Sequence, residues 1–180
     1  MADTRLAPPR DFSARNFPAG TGLAFRDCPG ASDVPAVREL LGDTGFFRPD
    51  EIGVAAELVE EGLAKGAASG YHFIFAEAGG QLAGYVCFGP IPCSIGSFDL
   101  YWLAVDKRLQ GRGLGLGLAA RCEAAARRMG ARGIYAETSG KAQYLPTRRF
   151  YERAGFAEAA RLPDFYAVGD AKIIYRKILV

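Results

Sequence analysis

The chain is 180 residues long with a net charge of +2, 49% hydrophobic and 23% charged residues. That length makes one domain the default and leaves ample chain for a buried core. The small charge gives no electrostatic case for a nucleic-acid partner, and no run approaches the roughly 18 apolar residues of a membrane span.

Four cysteines (Cys28, Cys87, Cys93, Cys122) lie far apart without a CxxC, and His72 is the single histidine, so no metal site is expected. Three of the four cysteines sit in or beside apolar runs and read as buried free thiols, which fits a reducing, cytoplasmic setting. Residues 1–20 read as an N-terminal arm rich in Ala, Pro and Arg, and they carry neither a secretory signal nor an anchor. Residues 21–180 are expected to form a single domain.

In chain order, Gly22–Asp27 reads as a short strand. Ser32-Asp33 then offers N-cap oxygens for a helix striped by Val34, Val37, Leu40 and Leu41, which Gly42–Gly45 stops. A second helix starts at Pro49-Asp-Glu with acidic residues in its first turn, buries Ile52, Ala55, Val59 and Leu63, and ends at Gly66. Tyr71–Glu77 and Gln81–Phe88 are strands around the turn Ala78-Gly79-Gly80, and Phe98–Val105 is the fourth strand. A third helix follows, with Leu114, Leu118, Cys122, Ala125 and Met129 on its inner face. Ile134–Thr138 is the fifth strand, and Thr147–Ala154 a short helix closed by Gly155. Strands near Phe156–Arg161 and Lys172–Ile178 flank a loop, Leu162–Ala171.

The order β-α-α-β-β-β-α-β-α-β-β gives an α/β (α+β) class. It implies a mixed, mostly antiparallel sheet of about seven strands with four helices. Strands two to four follow one another without helices and pair antiparallel, whereas the fourth and fifth form a parallel crossover around the third helix. The alternation of a doubly wound fold is absent.

The most informative stretch is Val105-Asp-Lys-Arg-Leu-Gln110-Gly-Arg-Gly-Leu-Gly115, where a strand empties into a glycine-rich turn that opens a helix. Free N–H groups and the helix dipole make such a turn a phosphate site. Arg108, Arg112, Arg121, Arg127 and Arg128 recur near it. Leu116-Gly117 stands where a nucleoside-triphosphate loop needs Lys-Ser/Thr, and the glycine spacing misses the dinucleotide fingerprint.

Gln110-Gly-Arg-Gly113-Leu-Gly115 after an aliphatic strand resembles the acetyl-CoA loop of the GNAT N-acetyltransferase superfamily, Arg/Gln-x-x-Gly-x-Gly/Ala. Phe150-Tyr151-Glu-Arg-Ala-Gly155-Phe156, about 35 residues downstream, resembles that family's Phe-Tyr-x-x-x-Gly-Phe segment. The resemblance implies a GNAT-like fold and acetyl-CoA as co-substrate, with no metal. N–H groups of Gln110, Gly111, Arg112, Gly113, Leu114 and Gly115 would hold the pyrophosphate, with a charge-assisted contact from Arg112. The pantetheine would run along the backbone of Leu103, Ala104 and Val105 as an added strand, where the fourth and fifth strands part.

The reaction implied is direct attack of an amine on the acetyl carbonyl. A protonated amine needs a base, the oxyanion a backbone donor near Leu103, and the leaving thiolate an acid. The resemblance puts the acid at Tyr151. For the base it offers Asp99, six residues before Val105 on the fourth strand, or Glu137 on the fifth; His72 is a third candidate. Many relatives carry an asparagine seven residues before the tyrosine, where this chain has Tyr144; Thr138 or Ser139 would then replace its cofactor contact. Phe46, Phe47, Tyr101, Phe165 and Tyr166, mixed with carboxylates, would wall the acceptor pocket and suit a cationic amine, either a small molecule or a protein N-terminus. The expected assembly is a monomer or homodimer. The rival reading is a non-catalytic acyl-CoA-binding regulatory module on the same fold.

Overall fold

The structure is a computed structural model that describes residues 22–179, so the expected N-terminal arm lies outside the described residues. Four helices and seven strands form it. They are β1 (Leu23–Arg26), α1 (Asp33–Thr44), α2 (Pro49–Lys65), β2 (His72–Ala78), β3 (Gln81–Pro90), β4 (Ser97–Val105), α3 (Leu114–Arg128), β5 (Gly133–Ser139), α4 (Leu145–Arg153), β6 (Ala157–Ala167) and β7 (Asp170–Ile178). The sheet order is β1-β2-β3-β4-β5-β7-β6, antiparallel except for β4 and β5. The chain thus has the mixed, mostly antiparallel architecture its element order implied. Among the described residues no helix is long and apolar enough to cross a membrane.

Two apolar clusters cover the sheet's two faces. Leu114, Leu118, Cys122 and Ala126 of α3 and Tyr151 of α4 close one face over Val86, Leu100, Ile134 and Tyr175. Val37, Leu40 and Leu41 of α1 and Ala55 and Val59 of α2 close the other over Phe73, Phe75, Tyr85 and Ala104. Alternation along β2, β3 and β4 supplies both clusters at once, because successive side chains point to opposite faces.

Two irregularities shape the middle of the sheet. β4 pairs with β5 only over Ser97–Leu100 against Gly133–Ala136, and beyond those residues the strands have no register. In addition, Cys87 pairs with Trp102 and Phe88 with Leu100, which leaves Tyr101 as an extra residue on β4. This bulge puts neighbouring Tyr101 and Trp102 on the same face, against the α1–α2 cluster.

Several sequence expectations are corrected. The buried stripe of α2 passes through Gly62, not Leu63, which is 39% exposed. A Cβ on Gly62 would stand 2.5 Å from the Phe73 ring, so the missing side chain lets helix and strand approach. On α3 the stripe ends at Ala126, and Met129, just past the helix, is exposed. Ser32 makes no capping hydrogen bond; instead Asp33 accepts from the Gly30 N–H at 2.7 Å and from the Arg26 guanidinium. Cys93 is exposed in the β3–β4 connection; Cys87 and Cys122 are buried. The loop expected at Leu162–Ala171 is mostly strand: β6 runs on to Ala167 and turns at Gly169. A register shift between Leu162 and Ala167 accommodates Pro163, which an edge strand tolerates because its outer N–H needs no partner.

Candidate active site

The glycine turn is built from β4 outward. The Asp106 carboxylate accepts from the Arg108 N–H at 2.8 Å and starts a single 3-10 turn, Lys107–Leu109. Gln110 folds back, its side-chain amide donating to the Val105 carbonyl at 3.0 Å and its N–H to the Lys107 carbonyl at 3.4 Å. Gly111 at φ 75° and Gly113 at φ 89° then take left-handed conformations that a residue with a Cβ adopts only with strain. The result is a row of N–H groups, Gly111 through Leu116, that donate to no backbone carbonyl among the described residues. They sit at the positive end of the α3 dipole. Nothing lies within 4 Å of a Cβ placed on Gly111, so the turn is open at that residue. This concavity suits a polyanion.

Of the arginines near this turn, Arg112 alone is exposed beside it without a partner among the described residues. Arg108 is tied to Asp106, Arg121 lies over the Phe25 ring at 3.5 Å, and Arg127 pairs with Glu123. Arg121, Arg127 and Arg128 occupy the second half of α3. The expected recurrence of arginines around the turn therefore does not form in space.

From the turn the gap between β4 and β5 runs back into the sheet. Leu103, half-buried, and Ala104 and Val105, buried, form its β4 side; Thr138 and Ser139, both buried, form its β5 side. Ser139 donates to Asp170 at 2.5 Å, and its carbonyl accepts from Arg148 at 2.8 Å, so that rim is fixed to β7 and α4. Phe150 lies across the mouth of the gap, near Gly115, Val105 and Leu103.

Tyr151 lies beneath the α3–α4 face among Phe150, Phe156 and Tyr175, with ring centroids 5.4–5.5 Å away. Burial pushes its phenol well above the usual tyrosine range, helped by the neighbouring Cys122. It is therefore protonated at neutral pH.

The carboxylates lie on the opposite, α1–α2 side of the sheet. Asp99 is half-buried and has no hydrogen bond or ion pair among the described residues. Burial raises its pKa, the nearby Glu137 carboxylate raises it further, and Lys172 opposes both. Glu137 is exposed and ion-paired with Lys172 of β7 rather than with a helix arginine. Tyr101 stands beside Asp99; burial, Asp99 and Tyr71 push its phenol up to about 12.

Around them, Tyr71 meets Tyr101 edge-on at 5.4 Å and Phe47 meets Trp102 at 5.2 Å. The Tyr144 hydroxyl donates to the Phe46 carbonyl at 3.0 Å, so it fastens the start of α4 to the α1–α2 turn. Phe165 and Tyr166, at 53% and 45% exposure, project from the end of β6. His72 is apart from this group, packed on Phe88 at the start of β2, where burial lowers its pKa. Lys172 and Tyr71 were not singled out in the sequence; the alternation of their strands places both on the acceptor face.

The sequence model of the Acetyltransferase (GNAT) family matches residues 35–156, more than half of the chain and both of its glycine-bearing segments. The chain belongs to the GNAT acetyltransferase family. A solved GNAT-family protein from Desulfovibrio desulfuricans is 50% identical, with 88% of this chain and 100% of that chain covered and a TM-score of 0.87. At 20% identity the likeness is one of fold for two others. The first is a Salmonella typhimurium protein solved with acetyl-CoA, with a TM-score of 0.69 over 89% of this chain and 95% of that one. The second is the aminoglycoside 6'-N-acetyltransferase of Enterococcus faecium, with a TM-score of 0.69 over 88% and 97%. No curated protein matches the chain. Among the described residues no cluster of His, Cys, Asp or Glu could hold a metal ion. The GNAT assignment makes this an acyltransferase fold.

Proposed function

We propose that the protein is an acetyl-CoA-dependent N-acetyltransferase whose acceptor amine enters from the α1–α2 side. The carrying observation is the row of N–H groups from Gly111 to Leu116 that donate to no backbone carbonyl among the described residues, following the stretch of β4 that has parted from β5. These residues fit acetyl-CoA. The N–H row would hold the pyrophosphate with Arg112 beside it, and Leu103, Ala104 and Val105 would hold the pantetheine, with Thr138 opposite. Gln110 shapes the turn through its bond to Val105. Acetyl-CoA supplies an activated acyl group on a sulfur leaving group; the rest is the work of the side chains.

Tyr151, kept protonated by burial, is the general acid that protonates the departing sulfur. Asp99 is the favoured base, because it is half-buried, unpaired and already inclined to accept a proton. Glu137, held by Lys172, is the second candidate and shapes the field at Asp99. The bulge at Tyr101 turns the β4 backbone locally, which supports an oxyanion contact from an N–H between Tyr101 and Leu103. Phe46, Phe47, Tyr101, Phe165 and Tyr166 would wall the acceptor site, whose aromatic and acidic character favours a cationic amine on a small molecule or a peptide.

Free-thiol release with a panel of amines and peptides tests this reading. Transfer to at least one amine is expected. Coenzyme A binding without transfer to any of them would favour the non-catalytic binding module instead.

A further inference from the structure

Lys172 is an amine standing on the acceptor side of the site. It is the third residue of β7, opposite Ser139, and Ile173, buried in the α3–α4 cluster, fixes the Lys172 side chain on the opposite face. Ser139 belongs to the part of β5 that has left β4, so its partner Lys172 stands one strand away from the gap. The side chain leans over β5 to Glu137, and its Nζ lies 4.5 Å from the centroid of the Phe165 ring. Its side chain is 15% exposed, against 58% for Lys65 and 52% for Lys141. A carboxylate and an aromatic face thus already hold an alkylammonium whose charge is felt at Asp99, in the manner expected for an acceptor.

We propose that Lys172 is a self-acetylation site. The inference rests on the acetyltransferase reading given above. The step forms a bond between Lys172 Nζ and the acetyl carbonyl carbon and breaks the thioester C–S bond. Of the two protons that leave the ammonium, one ends on the coenzyme sulfur through the Tyr151 phenol and one passes through Asp99 to solvent. The products are acetyl-lysine and coenzyme A, with one proton released. Acetylation abolishes the lysine charge, leaves Glu137 without its partner and fills the space beside Phe165. The mark would therefore weaken or reshape acceptor binding at the same site.

The test is peptide mass spectrometry of the full chain after incubation with carbon-13-labelled acetyl-CoA and no amine. Label is expected at residue 172 at least tenfold faster than at Lys65, at a first-order rate independent of protein concentration. It should be lost in Lys172→Arg and slowed at least tenfold in Tyr151→Phe, with circular dichroism confirming that both variants fold. The inference is overturned by no label at Lys172, by label there at the rate of Lys65, or by a rate that Tyr151→Phe leaves unchanged. Transfer to an added amine without label at Lys172 would refute self-acetylation alone. Failure of both reactions would refute the acetyltransferase reading as well.

Discussion

Phe150 lies over Gly115: a Cβ built on that glycine would stand 3.2 Å from the Phe150 ring, and 3.7 Å and 3.8 Å from Val105 and Leu103. The glycine turn and the Phe-Tyr segment, far apart in sequence, meet at this contact, beside Val105 and Leu103. Gly115→Val should therefore push Phe150 into the space proposed for the coenzyme. A loss of about tenfold in coenzyme A affinity, or about 1.4 kcal/mol, is expected. Calorimetry on the double variant with Phe150→Ala should recover part of that loss, since residues in contact couple. Wild-type affinity in the single variant would remove Phe150 from the coenzyme site.

Gly113 carries a different constraint. At φ 89° it is the left-handed N-cap of α3, and a β-branched residue is strained there by about 2 kcal/mol. Gly113→Val should lower the melting temperature and also block backbone approach to the pyrophosphate. Titration calorimetry should show weakened coenzyme A binding even well below the new melting temperature; unchanged affinity would refute the cradle.

Tyr151→Phe removes one oxygen from a buried aromatic cluster and leaves its packing intact. Turnover should fall about a hundredfold, at the lower end for a lost general acid. Affinity for coenzyme A should change little. Equal losses in both quantities would mean that Tyr151 contributes to binding rather than to proton donation.

Asp99 predicts the pH profile. As a base it works deprotonated, and burial and Glu137 raise its pKa, so the acidic limb of kcat/KM should lie above the range of an ordinary aspartate. Glu137→Gln removes a like charge and should move the limb down. Lys172→Met removes the opposing cation and should move it up. Asp99→Asn should abolish the limb; a limb that survives in Asp99→Asn and disappears in Glu137→Gln would transfer the role to Glu137.

The fold was legible because its signals are local. Glycines at Gly79, Gly113 and Gly155 need positive φ, and the apolar stripes of α1 and α3 keep helical period. The glycine turn was legible for the same reason, since one short segment both forms it and exposes its N–H groups. The acceptor side was only partly legible. Asp99 and Glu137 become neighbours through strand order, and Lys172 reaches them from the last strand. The bulge at Tyr101 leaves no mark in the alternation of β4. The extension of β6 past Pro163 was missed because proline reads as a strand terminator, while an edge strand tolerates it.

Tyr85 offers a test of the core that is independent of catalysis. It is fully buried on β3, stacked on Phe75 at 6.1 Å, and its hydroxyl has no hydrogen-bond partner among the described residues. Burial accordingly drives its phenol far above the usual range. An unsatisfied buried hydroxyl costs about 1–3 kcal/mol in desolvation, and Tyr85→Phe removes that cost while keeping the ring. The variant should be more stable than the wild type by about 1 kcal/mol, read as a higher midpoint in urea with an unchanged m-value. Acetyl transfer should be unaffected, because Tyr85 is sealed inside the α1–α2 cluster and is none of the residues proposed for the site. A destabilised variant would mean that the hydroxyl has a partner, such as a buried water bonded to a neighbouring backbone group, whose loss outweighs the relief of desolvation.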